Sequence, residues 1–215
     1  MIPIRDVRIR AVNVPRVYDT RVAEAGGHAQ AKTASHYYVL ELVTDGNVVG
    51  LGEISDIEQS WQTPAPEALR HMLSSLEGAD PLHRQATWER ALGSLPSDLH
   101  PELHSLLSAA IDTALLDLAG QHYGVPLYVL FGGRNRARAH VSWVAFIRTL
   151  DEIEREIATK VAEGFTAFKL KVGDEPELDA QRVQLFRRLA GSDAYIKIDE
   201  SGQWHEEEAV ERICA

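Results

Sequence analysis

The chain has 215 residues and a net charge of -10, with 22 lysines and arginines against 32 aspartates and glutamates, which argues against nucleic acid or an anionic membrane as the main partner. A hydrophobic fraction of 45% is ordinary for a globular protein of one or two domains, and the single cysteine, Cys214, excludes an internal disulfide framework. The N-terminal residues lack the apolar run of a signal peptide and no segment is expected to reach transmembrane length, so a soluble, cytoplasmic protein is expected.

The first part of the chain, residues 1–133, is predicted to form an α+β domain. Alternating and β-branched residues predict strands at 4–14, 36–43 and 48–53. The turn signal Asp45-Gly46 joins the last two, which gives a three-stranded antiparallel meander. Residues 16–34 lack periodicity and are predicted to be a long loop. Apolar spacing then predicts helices at 69–76, 82–92 and 102–123.

The pattern changes in the second predicted domain, residues 134–215. Strands are predicted at 140–146, 167–173 and 196–201, and they alternate with helices at 151–162, at 177–190 and from Glu206 onward. Such β-α-β alternation with short connections predicts parallel strands joined by right-handed crossovers.

Two of these strands carry candidate catalytic and metal-binding residues. Lys169 and Lys171 alternate with apolar residues, and Asp199 ends the next strand. In a parallel α/β barrel, functional residues gather at the C-terminal ends of the strands. A carboxylate there could hold Mg²⁺ through oxygen, and repulsion from the Lys169 ammonium would help Lys171 to act as a general base. Taken singly, a strand lysine is more often a solvated residue, and an aspartate after a strand is more often a helix cap.

These residues resemble a known family. The pattern Lys169-Leu170-Lys171, followed by Asp199 and Trp204, resembles the mandelate racemase/muconate lactonizing branch of the enolase superfamily. Four further segments are similar to that branch, at residues 49–53, 109–120, 124–127 and 130–133. The resemblance covers nearly the whole chain. It implies an N-terminal capping domain over residues 1–133 and about three βα units of a TIM-type barrel over residues 134–215.

The resemblance also implies a reaction. Members of this branch remove the proton α to a substrate carboxylate with the help of Mg²⁺, through an enediolate, as racemases, epimerases, cycloisomerases or acid-sugar dehydratases. By position, Lys171 would be the catalytic base, Lys169 its electrostatic partner, and Asp199 the first of three carboxylate ligands of the metal. The expected partner is a small carboxylate, and a homo-oligomer is expected for the full-length form.

Other positions are less specific. Ser201 stands where the family usually has asparagine, which changes the polar contacts near the metal. Residues 16–34 and 54–63 look like the family's capping loops, with His28 and Trp61 as candidate substrate contacts, although a surface residue without a role is the more ordinary interpretation of each.

The barrel part is short. A complete barrel needs about 250 residues, whereas residues 134–215 provide three βα units, without the later acidic ligands or the acid/base of the opposite face. We therefore expect an N-terminal portion of a longer enzyme, or a truncated product, that is inactive by itself. Two alternatives stay open, namely a barrel enzyme in which a lysine forms a Schiff base, and a non-catalytic relic or binding module of the same fold.

Overall fold

A computed structural model describes residues 2–22, 30–55, 57, 61–202 and 204–214, with residues 19, 21, 22 and 30 described in their backbone alone. The chain forms two compact units. Unit 1 is Met1–Pro15 with Ala34–Asn135, and unit 2 is Arg16–Thr33 with Arg136–Ala215. The predicted domain ranges, 1–133 and 134–215, stay predictions.

The first sheet confirms the predicted meander, because its strands lie in the order β1-β2-β3. They are β1 Ile4–Val22, β2 Gln30–Thr44 and β3 Val49–Ile54. β2 and β3 pair antiparallel across the Asp45-Gly46 turn.

The long loop predicted for residues 16–34 is wrong where the structure describes it. β1 continues to Val22, and β2 begins at Gln30. Val14 and Val17 are exposed, so this stretch lacks the alternation of buried and exposed residues by which a half-buried strand is predicted. Pairing with the neighbouring strand keeps the backbone extended, and such pairing leaves little trace in the local sequence.

Three helices in the described part of unit 1 agree with the predicted ones within a few residues at their ends, whereas the short helix at 127–130 was not predicted. The helices are α1 Pro66–Met72 with a following 3-10 turn Leu73–Leu76, α2 Arg84–Leu92, α3 Pro101–Tyr123 and α4 Leu127–Leu130. α3 begins with Pro101, where the ring of His100 accepts a hydrogen bond from the backbone of Glu102. It ends at Gly124, which has the left-handed φ of 64° that glycine adopts easily.

One helix in the described part, α3, has the length and composition of a membrane-spanning helix. It has 23 residues and reaches a mean hydropathy of 1.2, so the expectation that no segment reaches transmembrane length is wrong for α3. Its buried side chains belong to the apolar core of unit 1, and they are Leu103, Leu107, Ala110, Ile111, Ala114, Leu115 and Leu118. The core of unit 1 therefore accounts for the apolar composition of α3.

Two glycines of β3 allow α3 to pack directly on the backbone of that strand. A Cβ atom at Gly50 would overlap the carbonyl oxygen of Ala114, and one at Gly52 would overlap that of Ala110. Any side chain at these positions would therefore push the helix away from the sheet. This close approach is the physical reason for the alternate glycines in residues 49–53.

Unit 2 contains the predicted alternation of strands and helices. Its elements are β4 Trp143–Ala145, α5 Leu150–Ala162, β5 Ala167–Lys171, α6 Pro176–Ala190, β6 Tyr195–Asp199 and α7 Glu206–Cys214. The three strands are parallel and lie in the order β4-β5-β6, as predicted. Ile153 and Ile157 of α5 and Leu185 and Phe186 of α6 form its apolar core together with β5.

Candidate active site

β5 carries its lysines on one face and its apolar residues on the other. Phe168 and Leu170 are fully buried in the core of unit 2. Lys169 and Lys171 lie on the opposite, partly exposed face, as the alternation in the sequence predicts.

β6 brings its own polar residues level with those of β5. In the parallel register, Asp199 lies beside Lys171, and Lys197 lies beside Lys169. The backbone of Val172 donates a 3.0 Å hydrogen bond to the carbonyl of Asp199, which continues the pairing past the end of β5. The C-terminal ends of both strands therefore present their side chains at the same edge of the sheet.

Both predicted lysines contact the same carboxylate oxygen. The Nζ atoms of Lys169 and Lys171 lie 2.5 Å and 2.7 Å from Oδ2 of Asp199. The Lys171 side chain is 15% exposed and that of Asp199 is 25% exposed, so solvent screens this pair only in part. The structure thus brings together the three residues predicted as a site, while their catalytic and metal-binding roles stay predictions.

The charge of Asp199 is strongly stabilised. Burial raises the pKa of its carboxyl group, but hydrogen bonds from Lys169, Lys171 and the backbone of Ser201 outweigh burial and hold that pKa well below its usual range. Asp199 is therefore an anion at neutral pH, and it counters the repulsion between the two ammonium groups.

Ser201 adds two polar contacts to this cluster. Its hydroxyl accepts a 2.9 Å hydrogen bond from Nζ of Lys171, and its backbone N–H donates a 2.9 Å bond to Oδ1 of Asp199. Its φ of 64° lies in the left-handed region, which turns the chain back so that both groups of one residue reach the ion pair. The hydroxyl thus takes part where the family's usual asparagine would place an amide.

The described residues do not by themselves fit a Mg²⁺ site. Mg²⁺ requires octahedral oxygen ligands, whereas the polar face here offers the Asp199 carboxylate and the Ser201 hydroxyl, both already bonded to lysine. In the part of the chain that the structure describes, no three His, Cys, Asp or Glu side chains are grouped as a metal site would need. Asp199 can contribute one ligand, and the rest of the donor set is not among these residues.

The remaining candidates have other contacts or fall outside the described residues. His28 and residues 56 and 58–60 of the second predicted capping loop fall outside. Trp61 stacks on His100 of the same unit, with ring centroids 5.4 Å apart, and packs against the core of unit 1. Cys214 is an exposed thiol.

Sequence reasoning missed a buried ionic pair in α6. Asp179 and Arg182 are only 6% and 3% exposed, and Nη1 of Arg182 lies 2.8 Å from Oδ1 of Asp179. The available signal was their spacing, because Asp179, Arg182 and buried Phe186 follow one another at i, i+3 and i+7 and so share a helix face. Charged residues at these positions of a buried face indicate a partner inside the protein.

Comparison with known proteins decides the family. Residues 5–132 match the mandelate racemase/muconate lactonizing enzyme N-terminal domain, and residues 152–215 match a domain described as enolase C-terminal domain-like. The chain belongs to the mandelate racemase/muconate lactonizing enzyme family. This confirms the resemblance found in the sequence, together with the fold class of a capping α+β domain followed by βα units of a barrel.

Several characterised members of the family are similar to this chain. L-Ala-D/L-Glu epimerase of Clostridium acetobutylicum is 26% identical, over 98% of this chain and 56% of that protein. Muconate cycloisomerase 1-1 of Acinetobacter lwoffii is 28% identical, over 100% of this chain and 56% of that protein. The dipeptide epimerase of Enterococcus faecalis V583, solved with Mg and L-Leu-L-Tyr, has a TM-score of 0.83 and 24% identity, over 100% of this chain and 58% of that one.

The chain therefore spans a little more than half the length of these relatives. By their names, relatives of this kind are epimerases, racemases and cycloisomerases, which indicates their general reaction class.

Proposed function

We propose that this chain supplies part of an active site that removes the proton α to the carboxylate of a small molecule. The observation that carries this function is the contact of Lys169 and Lys171 with one oxygen of Asp199, at the adjacent ends of β5 and β6. Two amine groups, one for a proton acceptor and one for a fixed positive charge, are there each held within hydrogen-bonding distance of one carboxylate.

The reaction explains why two lysines stand together. Loss of a proton α to a carboxylate places a second negative charge on a group that is already anionic, so the resulting enediolate needs nearby positive charge. Lys171, the last residue of β5, would accept the proton. Lys169, two residues earlier on the same face of β5, would keep its charge and stabilise the anion.

Mg²⁺ is part of the proposal as a cofactor, with Asp199 as one ligand. When bound, the ion would supply positive charge where the substrate becomes anionic. Support comes from the dipeptide epimerases of Enterococcus faecalis and Cytophaga hutchinsonii, whose structures were solved with Mg. Among the described residues, no three His, Cys, Asp or Glu side chains are grouped as a metal site would need. Other ligands would therefore have to come from a longer protein, and we expect the 215-residue chain alone to be inactive.

The substrate class follows from the names of the relatives. L-Ala-D/L-Glu, N-succinyl-L-Arg/Lys and muconate are the substrates that those names give, and all three carry a carboxylate. An anionic substrate also suits the polar face of β5 and β6, where three lysines accompany one aspartate. We therefore propose a small carboxylate, of the dipeptide or N-acyl amino acid kind, as the first class to test.

The test is exchange of the substrate α proton with solvent deuterium, followed by ¹H NMR. L-Ala-L-Glu and N-succinyl-L-arginine would be incubated in D₂O with the longer protein that contains this chain, with MgCl₂ or with EDTA. The matched samples contain the 215-residue chain alone. We expect loss of the α-proton signal with the longer protein and MgCl₂, and none with EDTA or with the 215-residue chain.

Each other result would contradict a named part of the proposal. Exchange that persists in EDTA would refute the need for Mg²⁺, and turnover by the 215-residue chain would refute its inactivity. Absence of exchange with every carboxylate would refute the reaction class and favour a binding relic of the fold. A lysine adduct trapped by borohydride with a carbonyl substrate would indicate Schiff-base chemistry instead.

A further inference from the structure

Four charged residues contact one another at the turn that follows β5. We name this group the anchor cluster, and its members are Asp174, Asp179, Arg182 and Arg212. Asp179 and Arg182 are its buried centre, with 6% and 3% of their surfaces exposed. Arg182 lies 2.8 Å from Asp179 and 3.0 Å from Asp174, and Arg212 lies 4.0 Å from Asp179.

Asp179 binds the backbone that follows Lys171. Its Oδ2 atom accepts hydrogen bonds of 2.8 Å from the N–H of Gly173 and 3.0 Å from the N–H of Asp174. Gly173 has a φ of 111°, so the chain turns sharply at the second residue after Lys171. One buried carboxylate therefore fixes the backbone where it leaves the strand.

Arg182 and Arg212 extend these contacts to the segments behind the other two strands. Nε of Arg182 donates a 3.1 Å hydrogen bond to the carbonyl of Arg148, which follows β4. Arg212 of α7, the helix after β6, donates a 3.2 Å bond to the carbonyl of Asp174. The cluster thus ties together the chain segments that follow all three parallel strands of unit 2.

Lys171 depends on this support more than Lys169 does. The pairing of β4 with β5 ends at Ala145 and Leu170, so Val144 lies beside Lys169, whereas Lys171 is beyond the last pair. On its other side Lys171 pairs with Asp199 of β6. The backbone of Lys169 is consequently held by strands on both sides, and that of Lys171 is held by β6 and by the turn that Asp179 fixes.

Stability alone is a poor explanation of a buried ion pair at this place. Removing two charges from water costs about as much free energy as their attraction provides. Replacing a buried ion pair by apolar residues of similar volume therefore often leaves a protein equally stable or more stable. What directed hydrogen bonds provide, and apolar packing does not, is a fixed backbone direction. Groups that act on a substrate need supporting residues of this kind to hold their geometry.

We propose that Asp179 and Arg182 are positioning residues that hold Lys171 on Asp199 through the turn at Gly173 and Asp174. The role of Lys171 as the base rests on the proposed function, but its fixed position can be tested without substrate or metal. The reporter is the rate at which a dilute N-hydroxysuccinimide acetate acetylates each lysine, read by peptide mass spectrometry. In the full 215-residue chain, Lys171 should react slowly because its side chain is 15% exposed and bonded to Asp199.

The variant Asp179→Asn removes the charge that holds the turn. Hydrogen bonds to charged groups are strong enough that their loss should raise acetylation of Lys171 about tenfold. Lys169 should change less than about twofold, because strands hold it on both sides, and exposed Lys197 should not change. Glu177→Gln is the matched control, since it removes one negative charge from the first turn of the same helix at an exposed position.

Arg182 supplies the second pair of variants. Arg182→Met should increase the reactivity of Lys171, and Arg182→Lys should restore part of the slow rate, because it returns a positive charge to Asp179. If Asp179→Asn fails to fold by circular dichroism, Asp174→Asn replaces it, since that change removes one contact at a less buried position and should produce a smaller increase in the same direction.

Two outcomes would overturn the positioning role. One is an unchanged rate for Lys171 in folded Asp179→Asn, and the other is an equal increase at Lys169, Lys171 and Lys160, which would report loosening of unit 2 as a whole. In the longer protein, the positioning role predicts that Asp179→Asn lowers kcat with little change in KM. Failure of α-proton exchange in the unchanged longer protein would refute the proposed function and leave the acetylation result standing.

Discussion

Two regions of this chain are held together in opposite ways. In unit 1, α3 lies against the glycines of β3, where backbone atoms and apolar side chains leave no space for one more carbon atom. Asp117 and Gln121 of α3 add hydrogen bonds to the backbone of β3. In unit 2, the ends of β5 and β6 are held by charges, with two lysines on Asp199 in front and Asp179 with Arg182 behind. Close packing dominates the contact between α3 and β3, whereas ion pairs and directed hydrogen bonds dominate at the ends of β5 and β6.

The difference indicates which substitutions each region should tolerate. A close-packed contact responds mainly to volume, and the atoms nearest to a Cβ at Gly50 or Gly52 belong to the backbone or to an apolar side chain. A site made of ion pairs responds to the loss of a single charge even when the volume is kept. Each change below tests one side of this contrast, and the expected effects are ordered from largest to smallest.

Lys171→Met should have the largest effect, on activity rather than on folding. Methionine keeps most of the side-chain volume and removes the proton acceptor, so α-proton exchange by the longer protein should fall about 10²- to 10⁴-fold. Lys197→Met is the control from the neighbouring strand, where the lysine is exposed. The contrast would fail if Lys171→Met lost its folded circular dichroism spectrum, or if both variants lost activity equally.

Gly52→Ala should have the largest effect on stability. The added methyl group would overlap the carbonyl of Ala110, and relief requires movement of helix backbone, so we expect a loss of about 1–3 kcal/mol or more in the free energy of unfolding of unit 1. Urea denaturation followed by circular dichroism measures it. Gly46→Ala, in the open turn between β2 and β3, is the control and should be nearly neutral. Equal effects of the two changes would contradict the close packing.

Asp199→Asn should remove a contribution to stability that depends on pH. The pKa of Asp199 is lowered in the folded protein, so its stabilisation is complete above the unfolded value of about 3.9 and is lost as pH falls through the lower folded value. The difference in unfolding free energy between the unchanged chain and Asp199→Asn should therefore stay constant from pH 7 to 5 and shrink below about pH 4. Urea titrations at several pH values test this, and a constant difference down to pH 3 would refute it.

Glu163→Gln should have the smallest effect, although it also removes an ion pair from unit 2. Glu163 is 47% exposed and lies 2.8 Å from Lys160, and exposed pairs of this kind contribute about 0.2–1 kcal/mol. Acetylation of Lys171 should remain unchanged in this variant. A loss of stability as large as that of Gly52→Ala would show that the stability of unit 2 depends on how many ion pairs it has rather than on where they lie.

The positions of Lys169, Lys171 and Asp199 could be predicted from the sequence, because the short repeat of a β-strand and the order of strands and helices determine them. The period of two in β5 places Lys169 and Lys171 on one face, and parallel β-α-β order then places Asp199 beside them. Ser201 departs from the family pattern in the sequence, but its bond to Lys171 depends on a left-handed φ that serine seldom adopts.

The back of the site could not be predicted in the same way. Asp179 and Arg182 are charged residues of a helix, and such residues are usually solvated. Their burial is explained by contacts that only the structure shows, namely the hydrogen bond from Gly173 and the ion pair with Arg212, both made by Asp179. The extension of β1 to Val22 escaped prediction for the opposite reason, because its exposed valines show no buried face. In both cases the deciding contact lies outside the periodic pattern of the element itself.

The lysines of β5 and β6 also have a consequence for how fast small anions arrive. The whole chain carries a net charge of -10, which repels an anion from afar, whereas Lys169, Lys171 and Lys197 outnumber Asp199 on one face of the two strands. At physiological salt the Debye length is about 8 Å, so the distant repulsion is largely screened and the nearby attraction persists. Added salt weakens the distant repulsion, which raises the encounter rate, and also weakens the local attraction, which lowers it. Encounter rates with small carboxylates should therefore depend more weakly on ionic strength than the net charge suggests.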